Sequence, residues 1–341
     1  MKPRNIILLL ILAVILITIG VLVATTIDVS AILPIQASES AIYIDQLFRT
    51  MLGIAVVIFL IVEGGLIYAV FRFRRKRGET GDGAPIHGNT LLEVIWTLIP
   101  AIIVIVISIY SYQILTEIER PGVKPLVIEV IGKQFAWEFR YPEEEVTTTS
   151  LHLPIDREIN LQITSEDVIH SFWVPEFRIK RDATPGQISE LILRPTEAGT
   201  YRILCAELCG PGHAAMVTEV VIESKEEFDD WIEKQSNLAE LPSSSPEGRR
   251  ALFITQACGS CHTLDDANAV GIVGPSLNEI GAIAETRVPG LDAQNYITQS
   301  ILQPNAYIVE GYTSNLMPNN YGERLTAEEL QALVEYLLEQ K

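Results

Sequence analysis

Three long runs almost free of charge, at residues 6–27, 50–70 and 94–114, constrain this chain more than any other feature. Each is about 21 residues, the length a helix needs to cross ~30 Å of hydrocarbon. The mean hydropathy of +0.26 follows from them, and the sequence reads as having three candidate spans. The second run ends in RFRRKR, residues 72–77, and short basic loops stay on the cytoplasmic side. Everything beyond the third run is therefore expected outside. Residues 1–27 read as a signal peptide or a first transmembrane helix. Retention is favoured, because the apolar stretch exceeds the roughly 7–15 residues of a signal peptide core and no clear A-x-A site follows it.

Charge divides along the same line. Residues 1–120 hold 9 Lys/Arg and 9 Asp/Glu, whereas residues 121–341 hold 16 and 34. An acidic outer part disfavours nucleic acid and steers basic partners towards itself.

Past the membrane the texture becomes β-rich: residues 126–141, 159–165, 188–195, 200–205 and 216–223. The second alternates, with Ile159, Leu161 and Ile163 on one face. Short strands at this spacing predict a β-sandwich or barrel over residues 121–235, closed by a short amphipathic helix near 225–235. Residues 236–248, SNLAELPSSSPEG, read as a Pro/Ser-rich linker. Residues 249–341 read as a helical domain, whose most periodic segment (326–340) puts Leu330, Leu333, Val334 and Leu337 on one side.

The four cysteines fall in two pairs, and outside a membrane two disulfides would be the plain expectation. The second pair argues against it. CGSCH (258–262) is the C-x-x-C-H pattern of covalent haem attachment, in which Cys258 and Cys261 hold the macrocycle and His262 is carried to the iron. Met317 in NLMPNN stands where a distal thioether would come, and VGPSL (273–277) resembles the loop on the histidine side of small c-type cytochromes.

The first pair lies in CAELCGPGHAAM, residues 205–216. Cys205, Cys209, His213 and Met216 offer two thiolates, an imidazole and a thioether, a set suited to copper. His170, in SEDVIHSFWVPEF, can supply a further imidazole from an earlier strand. Zinc on two Cys and two His is the alternative, and it would leave Met216 idle. His87 and His152 read as surface or loop residues without a role.

The segments HGNTLLEVIWTLIP, SEDVIHSFWVPEF and CAELCGPGHAAM, with the helical hairpin at residues 40–118, resemble subunit II of the haem-copper cytochrome c oxidases. The appended domain resembles the bacterial variant with a fused cytochrome c. The implied fold is a multidomain membrane protein with N-terminal transmembrane helices, a cupredoxin-like β-sandwich and a C-terminal all-α cytochrome c domain.

The resemblance implies a binuclear CuA centre. Cys205 and Cys209 bridge two coppers, His170 and His213 bind one each, and Met216 and the Glu207 carbonyl complete the set. The Glu207 carboxylate would also reach a magnesium shared with subunit I. It further implies subunit I and subunit III as partners in a bacterial inner membrane, and Glu93 at the mouth of a proton-uptake path. An intramembrane carboxylate such as Glu63 would instead pair with a partner subunit. Where such proteins usually carry a tryptophan for electron transfer from cytochrome c, this chain has Phe135, with Trp137 two residues on. Electrons are expected to pass from an external donor, a cytochrome c or small copper protein, to haem c, to CuA, and to subunit I, where dioxygen is reduced to water with proton pumping. A free-standing membrane electron carrier would have no use for Glu93. A quinol oxidase subunit would lack Cys205 and Cys209, and a nitrous oxide reductase would need a histidine-rich domain.

Overall fold

The computed structural model describes residues 3–27, 32–75, 77–78, 81 and 88–341; His87 lies outside them. The chain forms two compact units, Met1–Ile35 with Ser40–Arg120, and Gln36–Glu39 with Pro121–Lys341.

The first unit is built from α1 (Pro3–Thr26), α2 (Glu39–Phe73) and α3 (Thr90–Ile118). Among the described residues α2 and α3 are long and apolar enough to cross a membrane, whereas the described apolar stretch of α1, Ile11–Thr26, falls short of that length by itself. Three threonines of α1 satisfy themselves: the hydroxyls of Thr18, Thr25 and Thr26 donate to carbonyls four residues back, as an apolar surround demands. α1 and α2 meet through small residues. A Cβ on Gly20 would lie 2.5 Å from Val57 Cγ2, and one on Gly53 would lie 2.6 Å from the Gly20 carbonyl oxygen, the close backbone approach that glycine permits. Asn89 caps α3 by accepting from Leu92 N. Glu93 folds back to accept from Asn89 N at 3.2 Å, so in this chain the carboxylate belongs to an exposed helix start.

The second unit opens with a β-sandwich. One sheet has the order β3–β2–β1–β5–β8 and the other β4–β10–β9–β6–β7. The strands are β1 (Leu126–Lys133), β2 (Ala136–Tyr141), β3 (Val146–Thr148), β4 (Leu151–Pro154), β5 (Ile159–Ser165), β6 (His170–Val174), β7 (Ile179–Ala183), β8 (Ser189–Leu193), β9 (Gly199–Cys205) and β10 (Val217–Glu223). In β5, Ile159, Leu161 and Ile163 are buried, alternating with partly exposed residues. β1 and β5 pair in parallel, Leu126 opposite Ile159. The sandwich core is also aromatic: Trp137, Phe139, Tyr141, Phe172 and Phe177 are all at most 2% exposed.

A strap from far upstream completes this sandwich. Ala37 N donates to Glu176 O, Thr196 N to Ala37 O and Glu39 N to Arg194 O, at 3.0–3.1 Å. Ala37 and Ser38 are fully buried.

α4 (Lys225–Ala239) follows, and then α5 (Pro246–Thr255). The segment expected to be a linker is mostly helical. Ser224 and Glu227 form a capping box that starts α4, and Ser245 with Pro246 restarts the chain as α5, leaving only residues 240–245 between them. His152 is not a surface residue. It lies on β4, half-buried, its ring stacked on Trp231 of α4 at 4.0 Å and its Nδ1 2.8 Å from Glu223 Oε1.

The helical domain continues with a small hairpin, β11 (Thr263–Leu264) and β12 (Ala269–Val270), then α6 (Ile280–Arg287), α7 (Ala293–Leu302), α8 (Tyr321–Arg324) and α9 (Ala327–Leu338). A capping box of Thr326 and Glu329 starts α9, which buries Leu333, Val334 and Leu337. Leu330 is partly buried against the same core. Leu316 crosses over to pack on the sandwich core.

Candidate functional site

Two ligand-rich places lie in the second unit. The first is built by strand pairing. β6 begins at His170 and β9 ends at Cys205, and the two strands pair with Phe172 opposite Cys205, so imidazole and thiol come together at one end of the sheet. The chain then loops out and turns through a short 3₁₀ segment, His213–Ala215. It returns so that Cys205 N donates to Met216 O at 3.2 Å.

That loop gathers the side chains named from the sequence. Cys205 Sγ and Cys209 Sγ stand 3.8 Å apart, and all four cysteines of the chain are free. Cys205 Sγ is 3.9 Å from His170 Nδ1, and Cys209 Sγ is 3.6 Å from His213 Nδ1. Met216 Sδ is 3.9 Å from Cys209 Sγ, and the Glu207 carbonyl oxygen is 3.3 Å from Cys205 Sγ. His170 and Met216 are fully buried and Cys209 is 5% exposed. His170, Cys205 and Cys209 bring ligand atoms within 4.8 Å of one another. A largely buried nest of soft and borderline donors fits copper. The Glu207 side chain is exposed at the loop tip.

Three supporting residues were not legible in the sequence. Asp167 Oδ1 lies 2.8 Å from His170 Nε2, leaving Nδ1 for a metal, the outer-sphere arrangement that orients ligand histidines. Its spacing of three residues from His170 was the available signal. Gln134 Nε2 donates to Cys209 O. Phe135, 3% exposed, lies under Gly210 and Gly212 of the ligand loop; it supports the loop rather than facing solvent.

The thiols respond to these neighbours. Burial pushes Cys209 up to about 12, and the negative charge of Cys205 adds to the rise. Burial also opposes ionisation of Cys205, yet hydrogen bonding to His170 and to nearby backbone brings it down to about 6. Although burial favours a neutral His170 ring, Asp167 raises it to about 9. A metal entering here therefore displaces protons.

The second place is a cavity. Cys258, Cys261, His262 and Met317 of the helical domain line it together with Ala136 and Trp137 of the sandwich. His262 Nδ1 donates to Pro275 O at 2.8 Å. A carbonyl can only accept, so Nδ1 carries the proton and Nε2 keeps its lone pair for a metal. Gly274 is required beside this ring: a Cβ there would lie 2.5 Å from His262 Cε1. Burial pushes the Cys258 thiol up to about 12 and raises Cys261 as well. A mainly apolar cavity with two thiols, an oriented imidazole and a thioether fits a covalently held haem.

Trp137 belongs to both places. It is 2% exposed, lines the cavity, and meets the His170 ring edge-on at 6.0 Å.

Three family models match this chain. Residues 27–114 match the transmembrane domain of cytochrome c oxidase subunit II, 144–225 its periplasmic domain, and 248–341 cytochrome c. Cytochrome c oxidase subunit 2 of Thermostichus vulcanus is 37% identical over 62% of this chain and 80% of its own length. The subunit 2 of Alkalihalophilus pseudofirmus is 29% identical over 80% of this chain and 81% of its own length. Among solved structures, the periplasmic domain of subunit II of cytochrome oxidase of Bradyrhizobium japonicum matches 34% of this chain and 96% of that one, with 29% identity and a TM-score of 0.33. On the family models and the 37% identical relative, the chain belongs to the cytochrome c oxidase subunit 2 family, with a cytochrome c domain on its C-terminal side.

Proposed function

We propose that this chain relays single electrons from an external donor, through a haem c held by Cys258, Cys261, His262 and Met317, to a binuclear CuA centre and on to subunit I. When bound, the two groups supply a pair of one-electron couples. The protein supplies the side chains that would hold them and the packed ring of Trp137 beside both.

The observation that carries the reading is the arrangement of Cys205 and Cys209. Their sulfurs face each other at 3.8 Å, with His170 beside one and His213 beside the other. Two thiolates so flanked can bridge two coppers, and bridging spreads the charge change of one electron over both ions. Met216 and the Glu207 carbonyl complete the set. Asp167 holds His170, and Gln134 and Phe135 hold the loop. The exposed Glu207 carboxylate is assigned to a magnesium shared with subunit I. Trp137, between the cavity and His170, is the electron route from the haem to the copper pair. Glu93 is assigned to the mouth of the proton-uptake path of the assembled, proton-pumping complex in a bacterial inner membrane, with subunit III as a further partner.

The test is metal analysis with visible and electron paramagnetic resonance spectra of the full chain, purified with whatever large subunit accompanies it. Two coppers with a mixed-valence signal, one covalent low-spin haem and a multi-span partner are expected. One zinc in place of copper, or a Cys205–Cys209 disulfide, would overturn the copper relay; absence of a large partner would leave a free-standing carrier.

A further inference from the structure

We infer that Gln134 is a positioning residue that couples the two ligand-rich places: a filled haem cavity keeps its side-chain amide on the copper loop, so haem occupancy tightens copper binding. The inference rests on the relay reading above and adds an order of assembly to it, in which copper loads more readily once haem is in place.

Gln134 sits partly buried in the turn between β1 and β2 and reaches three places at once. It lines the cavity that Cys258, Cys261 and His262 share. Its backbone N–H donates to Asp167 Oδ2 at 2.6 Å, and the other oxygen of that carboxylate lies 2.8 Å from His170 Nε2. Its side-chain Nε2 donates to the Cys209 carbonyl. One residue therefore steadies a ligand on each flank of the set: His170, which stands beside the Cys205 sulfur, and Cys209 itself. The fit to the loop is close, since a Cβ on Gly210 would lie 2.9 Å from Gln134 Nε2.

The backbone of this turn is tied down. Lys133 Nζ pairs with Glu138 at 2.8 Å and with Glu166 at 3.2 Å, and Glu166 N donates to Gly132 O at 3.1 Å. Residues 132–134 and 165–167 are thus laced together, and the Gln134 side chain is the part left with a choice of partner.

Two arrangements follow from the chemistry of that amide, which is costly to bury without an acceptor. Water in the cavity offers Nε2 a second acceptor, and the Cys209 carbonyl can then be released. A macrocycle in the cavity, whose other walls include Val273, Ile297, Ile301 and Leu337, offers none on that side, and the amide is held on the loop. The loop is otherwise open, with Leu208 79% exposed at its tip. Fixing one of its carbonyls in advance removes freedom that metal binding would otherwise have to remove. Such coupling is reciprocal, so copper on Cys209 steadies Gln134 and with it the cavity wall.

The experiment measures copper affinity by chelator competition on the full chain in its purified complex. Wild type is compared with Gln134→Leu, with the haem-free variant Cys258→Ser/Cys261→Ser, and with the combination. Loss of haem is expected to weaken copper binding about tenfold, Gln134→Leu to weaken it by the same factor with haem attached, and the combination to add nothing further, because both changes release the same contact. Gln134→Glu, close in size but with a carboxylate that cannot donate, should match Gln134→Leu, whereas a space-filling role would leave both at wild-type affinity. Saturated with copper, every form is expected to hold the wild-type content, since the change lies in affinity. A second readout needs no haem-free variant: in copper-free chain with haem attached, Gln134→Leu should speed alkylation of Cys209 by iodoacetamide about tenfold, the factor expected for affinity. Equal copper affinity with and without haem, or an unchanged alkylation rate, would overturn the inference. So would additive losses in the combined variant, the result expected if a haem-free domain unfolded and disturbed the sandwich by another route. Failure of the relay reading would show separately, as wild type without covalent haem or without a mixed-valence copper signal.

Discussion

The Trp137 indole and the His170 imidazole meet edge-on, their centroids 6.0 Å apart and their planes at 63°. Trp137 also packs edge-on against Phe172 at 5.6 Å, so its ring is held between the sandwich core and the cavity that it lines.

Shortening that ring should separate packing from electron transfer. Trp137→Ala is expected to destabilise the chain by ~3–5 kcal/mol, as removal of buried aromatics does. Trp137→Phe keeps an aromatic ring in the core and should cost less than the alanine variant. It should still slow haem-to-copper transfer, read by flash photolysis, while the copper spectrum stays intact.

Asp167 holds His170 through a 2.8 Å contact and also accepts from Gln134 N and Val168 N. Asp167→Asn should lower copper affinity roughly 10–100-fold, the usual penalty for losing an outer-sphere carboxylate. Chelator competition on the full chain measures it. An unchanged affinity would mean that the strand pairing alone positions the ring.

Gly274→Ala should displace His262, since the added methyl has nowhere to go but the ring. The expected outcome is less covalent haem per chain and loss of the low-spin signature, with copper content unaffected. Pyridine haemochrome assay and absorbance on the same sample check both.

Glu138 provides the acid limb of stability. Burial opposes its ionisation, but Lys133, 2.8 Å away, and Arg140 hold its carboxyl below the ordinary 4.5. A depressed folded-state value means that the unfolded chain takes up the proton first, so this contribution is present above about pH 4.5 and is lost as pH falls through the folded value. Glu138→Gln should melt lower than wild type at neutral pH, and the two melting temperatures should converge as pH drops below that point. Parallel curves down to pH 3 would remove Glu138 from the account.

How much of this was legible in the sequence follows from the range of each signal. The C-x-x-C-H turn and the Cys205–Met216 loop are local, so their residues could be named from spacing. The alternation in β5 and the heptad-like face of α9 are likewise periodic over seven or more residues. β3 and β4 have three and four residues, too few to show a period, and β7 reads Ile-Lys-Arg-Asp-Ala, with Lys180 and Asp182 exposed but Arg181 partly buried on the same face as Ala183, which breaks the polar/apolar alternation. Ser and Pro in residues 236–248 read as breakers, whereas at Ser245 and Pro246 they serve as N-cap and first helical residue. Asp167 sits three residues from the ring it holds, a local but weak signal, whereas Gln134 and Phe135 act across the chain fold and nothing in their own neighbourhood announces the loop they hold.

The strap at Gln36–Glu39 sets an order of events in biosynthesis. Its partners Glu176, Arg194 and Thr196 emerge from the ribosome only after α2, α3 and most of the sandwich have been made. Contacts between segments so distant form late, so the sandwich stays unsealed until the strap is threaded. A fragment beginning after α3 would carry that seam open, with Glu176 O and Arg194 O stripped of their donors, and the end of the sandwich beyond Val174 would wait for a piece of chain synthesised before any of its strands.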